Sequence, residues 1–237
     1  MQWIHHRGTT NFEEMSDISL GLRGLLSQVA EVKPPKVVSE RYSADRSRKW
    51  LIEILGGGIV ESVLIPNGDK ATLCISSQVG CTLSCSFCHT GTMPLVRNLT
   101  VDEIILQVLS AKDSLLDWNS KNENRKITNI VFMGMGEPLY NYETVLKASK
   151  ILLDNEGLCY SRRKITLSTS GVVPVIEKLK TELEVSLAIS LHAVNDKLRN
   201  ILVPINKKWP IDQIITTIKK YPKTAPNLED RRSDRKK

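Results

Sequence analysis

Apolar and polar positions along the chain fall into two patterns that meet near residue 67. In the first, apolar residues recur at Ile18, Leu20, Leu22, Leu25, Leu26 and Val29. With Asn11 as the N-cap, this spacing predicts one helix, which the Pro34-Pro35 pair ends. Two alternating runs follow, KWLIEIL (49–55) and IVESVLI (59–65), joined by Gly56-Gly57-Gly58. Glycines between alternating strands predict a hairpin, not a phosphate cradle, because no helix follows them. Residues 1–66 therefore read as a small accessory region made of a helix and a β-hairpin.

In the second pattern, strands alternate with helices. ATLCISS (71–77), ITNIVFM (127–133), KITLST (164–169) and VSLAISL (185–191) read as strands. The first predicted helix runs from the capping box Thr100-x-x-Glu103 to about residue 117. Others are expected at about 142–153, 173–182 and 211–220. Four βα units in series imply an α/β fold with a parallel sheet and right-handed crossovers. Such sheets place working residues at the C-terminal ends of their strands. Here those ends carry a cysteine loop, then GMGEP, STSG and SLH. Residues 67–221 thus form the expected catalytic unit. The polar stretch 222–237 reads as a basic tail without fixed structure.

Composition changes this picture little. The 237 residues are 41% hydrophobic, enough for a sizeable core. Nothing approaches the ~18 consecutive apolar residues of a membrane span, and the N-terminus lacks the apolar run of a secretory signal. Cysteines placed as metal ligands suit a reducing compartment, so a cytoplasmic, non-membrane protein is expected. The net charge of +7 is unevenly spread. Residues 219–237 hold eight Lys/Arg and three Asp/Glu, or +5, which leaves +2 for everything before them. A basic tail of this kind is usually solvated. The local clusters Arg162-Arg163-Lys164 and Lys207-Lys208 are better candidates for nucleic-acid phosphate contacts, weighed against an ordinary solvated face.

Three cysteines carry the candidate chemistry. Cys81, Cys85 and Cys88 lie within GCTLSCSFCHTG at Cys-x3-Cys-x2-Cys spacing. Closely spaced thiolates hold iron–sulfur clusters, usually four for a cubane. Three ligands in one loop leave an iron open to a substrate or cofactor, for which S-adenosylmethionine (SAM) is the expected occupant. A zinc site and structural thiols remain as alternatives. For zinc, His89 is too near Cys88 and Cys159 is far away. A disulfide framework does not suit five cysteines without a signal peptide.

Five segments in order, ATLCISSQVGCTLSCSFCHTGT, NIVFMGMGEPLYNY, RRKITLSTSGVVP, LAISLHAVND and VPINKKWPI, together resemble the radical-SAM RNA methyltransferases of the RlmN/Cfr type. The likeness runs from about residue 3 to about 221 and is nearer the RlmN side. That side methylates carbon 2 of adenosine in large-subunit ribosomal RNA and transfer RNA. The resemblance implies a partial (β/α)6 radical-SAM barrel with about four βα units present, a 4Fe–4S cluster and SAM. It implies Cys81, Cys85 and Cys88 as cluster ligands. Gly136 and Glu137 match the segment that holds the SAM amino group. Ser168 matches a SAM-contacting serine, and Ser190, Leu191 and His192 match the SAM-contacting end of the fourth strand.

Two further matches concern catalysis. Glu61 corresponds to the base that removes the proton from the target carbon; alone it reads as a solvent-facing hairpin glutamate. Cys74 corresponds to the cysteine that resolves a covalent protein–RNA adduct; alone it reads as strand packing. The implied partners are ribosomal and transfer RNA and an electron donor such as flavodoxin or ferredoxin, with the protein a monomer. The family's methyl-carrying cysteine is expected beyond residue 237, as are a SAM-contacting asparagine and two more βα units. The chain therefore reads as truncated, clipped at its start too, and Cys159 as incidental. A non-catalytic RNA-binding or poorly folded remnant is the second reading. Another radical-SAM enzyme, such as a glycyl-radical activase, is a third, and the ordered GMGEP, STSG and VPINKK segments argue against it.

Overall fold

The computed structural model describes residues 1–118 and 125–222; the expected basic tail from Lys223 onward lies outside them. Numbered in chain order, the chain begins with α1 (Gln2–Arg7) and α2 (Leu20–Val29). Four strands follow: β1 (Lys36–Tyr42), β2 (Arg48–Glu53), β3 (Ile59–Asn67) and β4 (Lys70–Cys74). A two-stranded ribbon, β5 (Gln78–Val79) with β6 (Arg97–Asn98), brackets the cysteine loop. Then come α3 (Val101–Ser114), β7 (Ile127–Phe132), α4 (Tyr142–Leu153), β8 (Ile165–Thr169), α5 (Val173–Glu182), β9 (Ser186–Ile189), α6 (Asp196–Leu202) and α7 (Ile211–Lys219). Among the described residues no helix is long and apolar enough to cross a membrane.

One seven-stranded sheet has the order β1-β2-β3-β4-β7-β8-β9. The pairs from β1 to β4 are antiparallel, and those from β4 to β9 are parallel. The expected parallel α/β unit is present, and α3 begins at the expected capping box. The Glu103 carboxylate accepts the Thr100 N–H at 2.9 Å to open α3. The accessory strands do not stand apart. β3 pairs with β4 through Val63↔Cys74, so a boundary at 66/67 falls inside a continuous sheet.

The period-2 pattern sorts the sheet's two faces. Trp50, Ile52, Val60, Leu64, Leu73, Ile130, Phe132, Ile165 and Leu167 are buried with the inward stripes of α3 and α4, including Ile104, Val108, Val145, Ala148 and Leu152. A polar clamp fixes the same layer. The Gln107 side chain of α3 accepts from Ser62 Oγ at 2.9 Å and Ser76 N–H at 2.8 Å, and donates to the Ser76 carbonyl at 3.0 Å. Glu61, Val63, Cys74, Val131 and Ser168, on the opposite face, are half-buried.

The first helix differs from expectation. Asn11 caps only a 3-10 turn at Phe12–Glu14, accepting the Glu13 N–H at 3.0 Å. Ser19, which accepts the Leu22 N–H at 3.3 Å, starts α2 instead. None of α2 is buried, and Leu20 is 75% exposed, so the apolar periodicity there marks a face without a partner in these residues. Periodicity alone also does not reveal α1, α6 or the edge strand β1. β1 is exposed at nearly every position, so packing imposed no alternation on it.

Lys112 of α3 is only 1% exposed, its ammonium 5.2 Å from the centre of the Trp118 ring. Burial pushes its pKa down to about 8, with repulsion from Arg125 adding to the effect and Asp117 opposing it. A lysine that releases its proton more readily when folded destabilises the fold most below pH 8. That penalty fades as pH rises from about 8 toward the unfolded value of 10.5. Lys112→Met keeps the stem and removes the charge. It should stabilise the protein at pH 7 by about 1–3 kcal/mol and flatten the gain in stability above pH 8. Urea denaturation at pH 7 and pH 9.5 checks this; a variant less stable at pH 7 would contradict it.

Candidate functional site

The cleft lies at the C-terminal ends of the parallel strands. Gly80 turns the chain out of β5 with φ of 78°, and a Cβ there would lie 2.0 Å from the Pro94 carbonyl oxygen. No other residue fits that approach. The loop that follows is stapled by backbone bonds. Cys81 N–H donates to Met93 O at 3.2 Å, Cys88 N–H to Cys85 O at 3.1 Å, and Ser86 N–H to Leu202 O at 3.1 Å. The last of these ties the loop to the end of α6.

Cys81, Cys85 and Cys88 line a cleft of about 250 Å³ together with Gly136, Glu137, Ser168, Ser190 and His192. Eight of the expected site residues, from four separate strand ends, therefore converge. Burial pushes the Cys85 thiol up to about 11, and repulsion from Cys81 and Cys88 adds to it. Burial raises Cys81 as well. Three thiols that would repel one another as thiolates suit a cation-rich occupant, whose binding expels their protons. Among the described residues, no group of three His, Cys, Asp or Glu side chains closes around a position for a single metal ion. Three thiolate donors from one loop suit an iron–sulfur cluster.

Glu137 is 2% exposed. Its carboxylate accepts the Leu139 N–H at 3.1 Å and the Ser170 N–H at 2.8 Å, and its own N–H donates to Gln78 Oε1 at 2.8 Å. Burial raises its pKa against the pull of those N–H groups. Gly136 has φ of 93°, and a Cβ there would lie 2.4 Å from Gln78 Cβ, so the Gly-Glu turn is shaped by its fit over Gln78. The Ser168 and Ser190 hydroxyls lie 3.3 Å apart at the tips of β8 and β9. His192, exposed and with φ of 59°, stacks on Phe87 of the cysteine loop at 4.0 Å between ring centres.

The remaining expected residues lie elsewhere. Leu191 does not line the cleft; its carbonyl accepts from Arg199 Nε at 2.9 Å. Glu61 and Cys74 sit outside the cleft lining, on β3 and β4, sharing the half-buried face of the sheet. The Glu61 carboxylate pairs with Lys49 Nζ at 3.0 Å. Burial, with a smaller contribution from Glu61, pushes the Cys74 thiol up to about 11. Arg162 and Arg163 form a turn at the N-terminal end of β8, opposite the cleft, and Arg162 is paired with Glu184. Lys208 lies across the cysteine loop from the cleft, in a groove with Thr82 and Leu83.

Sequence reasoning missed Gln78, Ser170 and Arg199, each of which supports the cleft through a backbone group. A glutamine three residues before Cys81 and an arginine inside a short helix carry no motif of their own.

Known proteins align along the same lines. The profile of the Radical SAM superfamily matches residues 75–226, and that of the ribosomal RNA large subunit methyltransferase N-terminal domain matches residues 1–32. The dual-specificity RNA methyltransferase RlmN of Caulobacter vibrioides is 55% identical over 222 residues, covering 93% of this chain and 55% of the relative. RlmN of Phenylobacterium zucineum is 53% identical over 222 residues, covering 93% and 58%. The crystal structure of a radical SAM methyltransferase from Sphaerobacter thermophilus superposes with a TM-score of 0.83 at 40% identity, covering 93% of this chain and 64% of that one. The chain thus spans a little over half the length of the curated relatives it matches. With the superfamily profile covering well over half its residues, the chain belongs to the radical SAM superfamily, as an RlmN-type member whose family cofactors are a 4Fe–4S cluster and SAM.

Proposed function

We propose that these residues form the radical-generating part of an RNA methyltransferase that modifies carbon 2 of adenosine in ribosomal and transfer RNA. The supporting observation is the single cleft in which three cysteines, a buried glutamate and two serines converge at parallel strand ends. In this reading the four parallel strands are the first part of a (β/α)6 barrel. The protein is monomeric and cytoplasmic, and a small electron carrier such as flavodoxin or ferredoxin reduces it.

Cys81, Cys85 and Cys88 would hold the cluster by three of its irons. When bound, the cluster supplies the electron that splits SAM into methionine and a 5′-deoxyadenosyl radical. The Glu137 carboxylate accepts a charge-assisted hydrogen bond from the SAM ammonium. Ser168 and Ser190 offer hydroxyls to its remaining polar groups, and Leu83, Phe132 and Met133 give the cleft apolar walls that exclude water. Glu61, held by Lys49, is the proposed base. Cys74 rests as a thiol, so its resolving role requires it to lose its proton first.

Cys85→Ala should abolish cluster uptake. After anaerobic reconstitution, iron and sulfide should fall to background and the visible absorbance should disappear; a full cluster in this variant would overturn the ligand assignment. The 237-residue chain, reconstituted and reduced, should release 5′-deoxyadenosine from SAM. Mass spectrometry of the reaction mixture decides that point, and SAM left intact would refute it.

A pH dependence follows from Glu137. Burial favours its protonated form in the free cleft, whereas a bound ammonium favours the carboxylate. Binding SAM therefore expels a proton, and affinity should rise with pH until Glu137 is fully ionised. Glu137→Gln should weaken SAM about tenfold or more, as expected for the ~1.5–3 kcal/mol of a hydrogen bond to a charged group, and remove this pH dependence. Equilibrium binding across pH 5–8 provides the check. A slope that persists in the variant would assign the titration to another group.

A further inference from the structure

Arg199 is 0% exposed, among the largest fully buried side chains of the molecule. It lies on α6 and spends its donors on neutral oxygens. Nε donates to Leu191 O at 2.9 Å, and Nη1 to Asn206 Oδ1 at 2.6 Å. Nη2 donates to Ser170 O at 2.6 Å and Ser190 O at 3.2 Å. Three of these acceptors are backbone carbonyls at the ends of β8 and β9. On their other side the same segments present the Ser190 hydroxyl and the Ser170 N–H that holds Glu137.

A buried cation needs a counter-charge. Among the described residues no carboxylate forms an ion pair with Arg199. Asp196 attracts it without making an ion pair, and the Asn206 amide, which donates to Asp196 Oδ1 at 2.8 Å, bridges the two. The cysteine loop lies on the other side. The Leu202 carbonyl, one helical turn beyond Arg199 on α6, holds the N–H of Ser86, the residue next to Cys85, at 3.1 Å. Each cysteine brings a negative thiolate to a bound cluster, so the loaded loop is anionic, and reduction adds a further negative charge.

We infer that Arg199 is a positioning residue with two tasks: its fork of donors holds the β8 and β9 ends in SAM-binding form, and its charge offsets that of the cluster. The inference rests on the proposed cofactor reading and deepens it. A positive charge close to the cluster stabilises the reduced state more than the oxidised one, so Arg199 raises the reduction potential. A side chain that merely tied two strands together would not move that potential.

Two variants separate the tasks in anaerobically reconstituted protein. R199Q removes the charge and part of the fork. Its one-electron reduction constant should fall about tenfold, equivalent to about 59 mV, and its SAM dissociation constant should rise about tenfold. R199K keeps a charge but loses the planar fork. Its potential should match wild type, while SAM binding still weakens about tenfold. Redox titration followed by electron paramagnetic resonance reads the potential, and the spectral change on adding SAM reads the affinity.

If R199Q loads a cluster at the wild-type potential and binds SAM normally, the inference is overturned. If R199Q does not fold, R199K decides: unchanged SAM affinity, or a lowered potential in spite of the retained charge, overturns it. Wild type that takes up no cluster would instead overturn the cofactor reading itself, and this inference with it.

Discussion

One peptide unit, at Ser170, joins the two buried ionisable side chains on which the cleft depends. Its N–H is held by the Glu137 carboxylate at 2.8 Å and its carbonyl by the Arg199 guanidinium at 2.6 Å. Buried polar groups are costly unless paired, so neither side chain can move without stranding a peptide group that the other also depends on. Through Glu137 the constraint extends to the GMGEP turn and to Gln78 of β5; through Arg199 it extends to β9, Asn206 and α6. The cysteine loop, attached to α6 by the Ser86–Leu202 bond, belongs to the same polar scaffold. The cleft is thus held in shape largely by hydrogen bonds to main-chain groups.

That dependence explains what the sequence could disclose. Cys81, Cys85 and Cys88 stand out by residue type and spacing; Glu137, Ser168 and Ser190 lie at strand ends that the βα pattern marks, but their roles come from the family likeness. The supporting residues act on peptide groups, which every residue has. Nothing in the letters therefore distinguishes Arg199 or Gln78 from an ordinary surface arginine or strand glutamine. Glu61 and Cys74 stand out only through the family likeness, and their geometry, on β3 and β4 outside the cleft lining, does not follow from spacing.

The same logic applies to the fold. Buried strands and helices are legible because a one-sided core imposes period 2 or 3.6 on apolar residues. β1, α1 and α6 are not, because they are short or exposed. The α2 periodicity is recognisably helical, but its start is ambiguous, since Asn11 and Ser19 are both competent caps and eight residues apart. What decides between them is the 3-10 turn that Asn11 closes on itself.

β4 also has a consequence for how the chain reaches its fold. It is the strand at which antiparallel neighbours give way to parallel ones. On one side its partners are hairpins close in sequence, as in Asn67↔Lys70; on the other, Ala71 must find Ile127. Short loops close with little entropy loss and long ones close slowly. The β2–β3–β4 meander is therefore expected to assemble first and offer β4 as a ready-made edge, onto which β7, β8 and β9 add in turn. An accessory hairpin, on this view, also serves as the template on which the catalytic sheet is laid down.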